Sequence, residues 1–198
     1  MLSNRLKTNG ARLGQLIIDQ GLETMRDFFD SIHPPDTLTA VLHSYYDTIS
    51  GIRVIKPVQM QKLFPPSGQL PAMQSTSRDY DITLLFILFR NISGLRPPAT
   101  GWDKNPPPGD LSREADLVRL KNFRNEVYSH INRAGVTDDD FDKYWTEISE
   151  VLVRLGADVG AIAKVRTSPL DEDLYISLLN EWYESDEKTQ VFIVEILK

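Results

Sequence analysis

The chain has 198 residues, 41% of them hydrophobic and 25% charged, with a formal net charge of −6. That balance fits a soluble globular domain with a real core, and the acidic excess excludes broad attraction to nucleic acid, so any RNA contact would need a local basic patch. The lack of cysteine excludes disulfides, thiolate metal sites and cysteine nucleophiles, and three histidines (His33, His43, His130) leave little for a histidine-rich metal site.

The first residues, MLSNRLKTNGARLGQL, contain no long apolar stretch of the kind a secretory signal needs. Apolar residues at Leu13, Leu16, Ile17, Leu22, Met25, Phe28, Phe29 and Ile32 then recur at helical spacing. They predict a helix over 9–32, with Gly21 as a weak point and Pro34-Pro35 as its end. Asp36 or Thr37 is expected to cap a second helix carrying Leu38, Val41, Leu42, Tyr45, Tyr46 and Ile49.

Between 50 and 77 prolines and glycine punctuate the pattern. They predict an ordered connector with one short turn over Gln59–Leu63 and mobility near Ala72–Thr76. Strand-like alternation is confined to short stretches such as Gly51–Ile55. Asp79 or Asp81 is expected to cap the segment DITLLFILFRNI, whose apolar run on most faces predicts a central helix; no run in the chain is long enough to span a bilayer.

A long proline-rich loop follows from Gly94 to Asp110, with Trp102 as its expected anchor. Ser112 is expected to cap a helix with the stripe Leu117, Leu120, Phe123, Val127 and Ile131, in which Glu114 and Asp116 suit the dipole of the first turns. Thr137 and Asp140 open another helix in a capping-box-like pattern. Phe141, Trp145, Ile148, Leu152 and Leu155 form its expected core face, and Gly156 its end. A further turn is expected over Ala157–Val165, and one or two helices from Asp171 onward. The pattern as a whole predicts an all-α helical bundle.

Four stretches carry a resemblance: LFPPSG, RDYDITLLFILFRNISGLRPPATGWDKNPPP, ADLVRLKNFRNEVYSHI and FDKYWTEISEVLVRLG. Together, over roughly Leu63–Gly156, they resemble the HEPN domain of the type found near the N-terminus of the DAZ-interacting RING-type ubiquitin ligase, which also occurs in invertebrate multidomain proteins resembling innate-immune receptors. The PPATGWD loop and the RNEVYSH segment are the most specific parts. The resemblance implies a helical bundle, frequent homodimerisation and, in many members, an RNA-directed role. Residues 1–50 and the last 40 or so share mainly its helical character, and the expectation is one HEPN-like domain over 1–198, with 1–50 as an N-terminal helical extension, as a piece of a longer multidomain protein.

The family signature is an Arg, a polar residue, about four more residues and a His. Here Arg124, Asn125 and His130 supply it, as the implied catalytic residues of a metal-independent endoribonuclease. The chemistry suits these types. A histidine can move protons near neutral pH, an arginine fork can hold two oxygens of a phosphorane, and an asparagine can orient either. Geometry adds a condition. Six residues turn an ideal helix by about 600°, so Arg124 and His130 lie about 120° apart and about 9 Å along the axis. They converge only through side-chain reach, a bend near Ser129-His130, or the partner of a symmetric dimer. Glu126, four residues before His130, shares its face.

Two functions follow: RNA binding or metal-free RNA cleavage by a homodimer, or a non-catalytic dimerisation and protein-interaction module in immune signalling or the ubiquitin pathway. No cofactor, metal or membrane is expected, and the cytoplasm is the expected compartment. Other features read more simply. Asp138-Asp139-Asp140 lacks the spacing of a calcium loop and suits a solvated helix start. The prolines suit a rigid packed loop better than a polyproline ligand. His33 and His43 suit a helix end and a surface. Arg90-Asn91 has Arg96 where the signature needs His. Arg113, Arg119, Lys121 and Arg133 could form a basic patch, or pair with Glu114, Asp116 and Glu126.

Overall fold

The computed structural model describes residues 4–65 and 75–196, with side chains through Glu184. Among these the chain is helical, without strands, as the apolar periodicity predicts. The helices are α1 (Asn4–Gln15), α2 (Leu22–Ile32), α3 (Pro35–Ser44), α4 (Tyr46–Ser50), α5 (Pro57–Leu63), α6 (Ile82–Asn91), α7 (Arg113–Arg133), α8 (Asp138–Leu155), α9 (Val159–Val165) and α10 (Glu172–Ile196). No helix among the described residues is long and apolar enough to cross a membrane.

Two compact units result: residues 4–24 with 97–187, and residues 25–65 and 75–96 with 188–196. In the first, α1 packs against α7 through Gly10 and against α10 through Gly14. A Cβ at Gly10 would fall 2.5 Å from Ile131 Cγ1, and one at Gly14 2.7 Å from Leu179 Cδ1. Any larger residue would have to push Ile131 or Leu179 aside. Polar contacts fix the same helix. Arg12 Nη1 donates to the carbonyls of Val165 (2.9 Å) and Ser168 (2.7 Å), and Arg5 Nε lies 2.8 Å from Asp138 Oδ1. Asp138, in the acidic triplet, thereby also receives Asn9 Nδ2 at 2.9 Å.

In the second unit α6 is buried from Ile82 to Phe89 on all but one position. Phe89 stacks on Phe28 at 5.3 Å and meets Phe29 edge-on at 5.5 Å. Asp81 caps α6, accepting from Leu84 N at 2.8 Å, and its carboxylate also receives Gln59 Nε2 from α5 at 3.0 Å.

Several boundaries differ from the expectation for stated reasons. The first helix starts earlier, at Asn4, and widens into a π-helical stretch over Leu16–Gly21 before α2 resumes, so the weak point is one wide turn ending at Gly21. Neither Asp36 nor Thr37 caps α3. Pro35 sits in the first turn, where its missing N–H costs nothing, and Pro34 is the N-cap residue. The short turn expected over Gln59–Leu63 begins at Pro57. Gly51–Ile55 forms turns. Of the expected mobile stretch, Ala72–Gln74 lies outside the described residues, while Ser75 is buried and donates to the Lys62 carbonyl at 2.7 Å. Phe141 is only half-buried, and Tyr144 and Val151 take its place in the core face of α8. His33 sits at the end of α2 as expected and is buried there, packed edge-on against Phe29 at 5.1 Å, whereas His43 is exposed beside Phe64.

Candidate functional site

Helix α7 carries the signature, and local sequence explains where it starts. Ser112 Oγ accepts from Ala115 N at 3.2 Å, and Asp110 Oδ1 accepts from Ser112 N and Oγ. From there α7 runs unbroken to Arg133, so no bend at Ser129-His130 brings the signature residues together. Its burial goes beyond one stripe. Leu117, Leu120, Phe123 and Val127 are joined by Ala115, Val118, Asp116 and Arg124.

Arg124 has 0% of its surface exposed and ranks among the largest fully buried side chains. Its guanidinium carbon lies 4.6 Å from the Trp182 ring and 5.8 Å from the Tyr183 ring, both on α10. One turn later Tyr128 stacks flat on Tyr183, centroids 4.0 Å apart. The face of α7 that bears Arg124 and Tyr128 is thus covered by aromatic rings of α10, an arrangement in which a cation is held by the negative faces of π systems.

His130 faces elsewhere. It is half-buried against α8, with Nε2 3.1 Å from Tyr144 Oη and the two rings edge-on at 5.6 Å. Tyr144 is 7% exposed. Burial, then the Glu126 carboxylate through its charge and as hydrogen-bond acceptor, push its phenol up to about 12. Glu126 and His130, four residues apart, therefore meet the same phenol. Asn125 is half-buried, about 100° around the helix from Arg124 on the side away from His130. Within one chain the structure brings His130 to Glu126 and Tyr144, and it does not bring Arg124 to His130.

A second polar cluster lies nearer the start of α7. Asp116, with 0% of its side chain exposed, receives Arg119 Nη1 at 2.8 Å, Arg154 Nε at 2.7 Å and Arg154 Nη2 at 2.9 Å. The carboxylate holds Arg154 above the usual arginine range. The Asp116–Arg119 pair was readable from their three-residue spacing. Arg154 was not, since 38 residues of chain separate it from Asp116, and Trp182 and Tyr183 were missed because no local pattern marks an aromatic as the cover of an arginine. Three of the four basic-patch candidates do not gather in one place. Arg119 is committed to Asp116, and Arg113 and Arg133 stand about 30 Å apart at opposite ends of α7.

Comparison with known proteins places this geometry in context. The family model described as DZIP3/hRUL138-like HEPN matches residues 35–176. The human E3 ubiquitin-protein ligase DZIP3 is 31% identical over 163 residues, which is 79% of this chain and 13% of that protein. The mouse E3 ubiquitin-protein ligase DZIP3 matches with the same identity and coverage. The chain thus spans about an eighth of the length of these curated relatives. No solved structure matches.

Proposed function

Because this chain belongs to the DZIP3/hRUL138-like HEPN family, we propose that it is a non-catalytic assembly and protein-interaction module of a ubiquitin-pathway protein, acting in the cytoplasm as a homodimer. The observation that carries this reading is the complete burial of Arg124 beneath Trp182. A group that stabilises a phosphorane must come within hydrogen-bonding distance of its oxygens. A symmetric dimer could join two surface histidines, but rigid docking of two protomers does not uncover a side chain that each one buries within itself. His130 supports the same reading, since one of its two ring nitrogens, Nε2, already faces the Tyr144 hydroxyl.

The competing reading is the RNA-cleaving homodimer, which rests on the complete signature Arg124, Asn125 and His130. Incubation with single-stranded and structured RNA in EDTA separates the two. The module reading expects no cleavage above buffer and no difference between wild type and His130→Ala. Sedimentation equilibrium is expected to show a concentration-dependent dimer that RNA does not alter. Cleavage abolished by His130→Ala would overturn the module reading, and a strictly monomeric protein at high concentration would remove its dimer.

A further inference from the structure

A cavity of about 360 Å³ opens to solvent between the 105–111 segment of the proline loop, α7 and α8. Its size falls within the range of about 300–1,000 Å³ typical of ligand sites. Phe123 and Val151 form the floor, and Pro106, Pro108 and Leu111 form one apolar wall. Leu111 is 61% exposed, a large apolar side chain presented at the lip. On the other sides stand Glu126, Glu147 and Glu150.

The two arginines of the lining, Arg119 and Arg154, offset these acids only in part, since Arg154 Nη1 lies a loose 3.9 Å from the exposed Glu150 carboxylate. Their closer contacts point back at buried Asp116, and Arg119 Nη2 also donates to the Pro107 carbonyl at 2.7 Å. Three rim carboxylates and Asp116 against two guanidiniums leave an excess of two negative charges. An acidic rim around an apolar floor repels phosphate and attracts a cation that carries an apolar group.

The wall is built in advance. Besides the Arg119–Pro107 bond, Asn122 Nδ2 donates to Asn105 Oδ1 at 3.1 Å, Asp110 N donates to the Pro107 carbonyl at 3.0 Å, and Pro106 is buried. A loop already held in place loses little entropy when it receives a ligand.

We propose that this groove binds a basic peptide segment of a partner protein, with one aliphatic side chain seated on Phe123 and Val151 and flanking Arg or Lys side chains paired with Glu126, Glu147 and Glu150. It rests on the interaction-module reading and names the chemistry of the partner. Glu126 also touches Tyr144, which meets His130. Occupation of the groove therefore reaches the signature helix through one shared phenol.

The test uses the whole chain and a fluorescein-labelled peptide in which one leucine is flanked by arginines, read by fluorescence anisotropy. Two control peptides replace the arginines with glutamates or the leucine with glycine. The arginine–leucine peptide is expected to bind at least about tenfold more tightly than either control. Glu147→Lys with Glu150→Lys is expected to weaken it by at least about tenfold, and salt to weaken it further. Leu111→Ser, at an exposed position that folding does not need, is expected to weaken it severalfold. Amide shift changes on titration should cluster at Asn105, Leu111, Phe123 and Val151. Equal binding of the glutamate peptide, indifference to both variants, displacement by a short RNA at equal concentration, or shifts elsewhere would each overturn the groove assignment. If the groove fails while the protein dimerises and leaves RNA intact, the module reading stands without it; cleavage that depends on His130 would instead remove the module reading itself.

Discussion

The two units bury their polar side chains by opposite strategies. The first unit buries ions. Asp116 is sealed but meets two guanidiniums, and Arg124 is sealed but lies on the faces of Trp182 and Tyr183. The second unit buries polar groups in neutral form. Burial pushes the Tyr80 phenol up to about 12. Burial also lowers His33 below its usual range, against the opposing hydrogen bond to the Ile92 backbone, and leaves its Nε2 without a partner. An ion inside a protein must be compensated, whereas a titratable group can shed its charge. The contrast bears on function, because the signature arginine sits among the compensated structural ions.

Four measurements can break or sharpen this contrast, beginning with the largest expected effect. Asp116→Ala strands Arg119 and Arg154 and is expected to cost about 3–5 kcal/mol in urea unfolding, as does removing one partner of a buried ion pair. A cost under about 1 kcal/mol would mean that the cluster is not a core element.

Arg124 is expected to behave differently. Arg124→Ala should cost about 3 kcal/mol through the cavity it leaves, while Arg124→Met, similar in length and uncharged, should stay within about 1 kcal/mol of wild type. If methionine were as damaging as alanine, the charge on the aromatic faces would matter more than the packing.

His130→Ala and Tyr144→Phe each remove one side of the 3.1 Å contact and should cost at least about 1 kcal/mol apiece, Tyr144→Phe the more because it also removes the hydrogen bond to Glu126. In a double-mutant cycle His130→Ala should add little to Tyr144→Phe. Full additivity would indicate that the contact at 3.1 Å contributes nothing to stability.

The smallest effect belongs to the second unit. The folded-state pKa of His33 is depressed, so below pH about 6.5 the unfolded chain binds the proton and the folded chain resists it. Stability should therefore fall as pH drops from neutrality through that value, and the fall should be smaller in His33→Asn. The difference in melting temperature between the two proteins at pH 7.5 and pH 5.0 reads it directly; no difference would place His33 in water.

Much of the fold is local chemistry, and that part was legible. Asp81, Ser112 and Thr137 each accept a backbone N–H in the first turn of their helix, from Leu84, Ala115 and Asp140. Gly156 closes α8 with φ +115°. These outcomes depend on neighbours three or four residues away, so a linear reading finds them. The π-helical stretch at Leu16–Gly21 and the capless start of α3 were not legible. The first has no local signal, and at the second Asp36 and Thr37 looked like good caps while the two prolines decided the start.

The signature divides along the same line. Its spacing alone established that Arg124 and His130 diverge around a straight helix while Glu126 and His130 share a face, and α7 keeps that arrangement. What α10 lays over Arg124, and which hydroxyl reaches His130, depend on residues 14 to 59 positions away that only chain packing brings near. The sequence by itself determined an all-α chain and the direction of each side chain on its helix, because both follow from periodicity and short-range hydrogen bonding; the HEPN family came from the likeness of its motifs to known members. Tertiary structure decided whether each side chain meets solvent or another helix, because burial is set by distant segments.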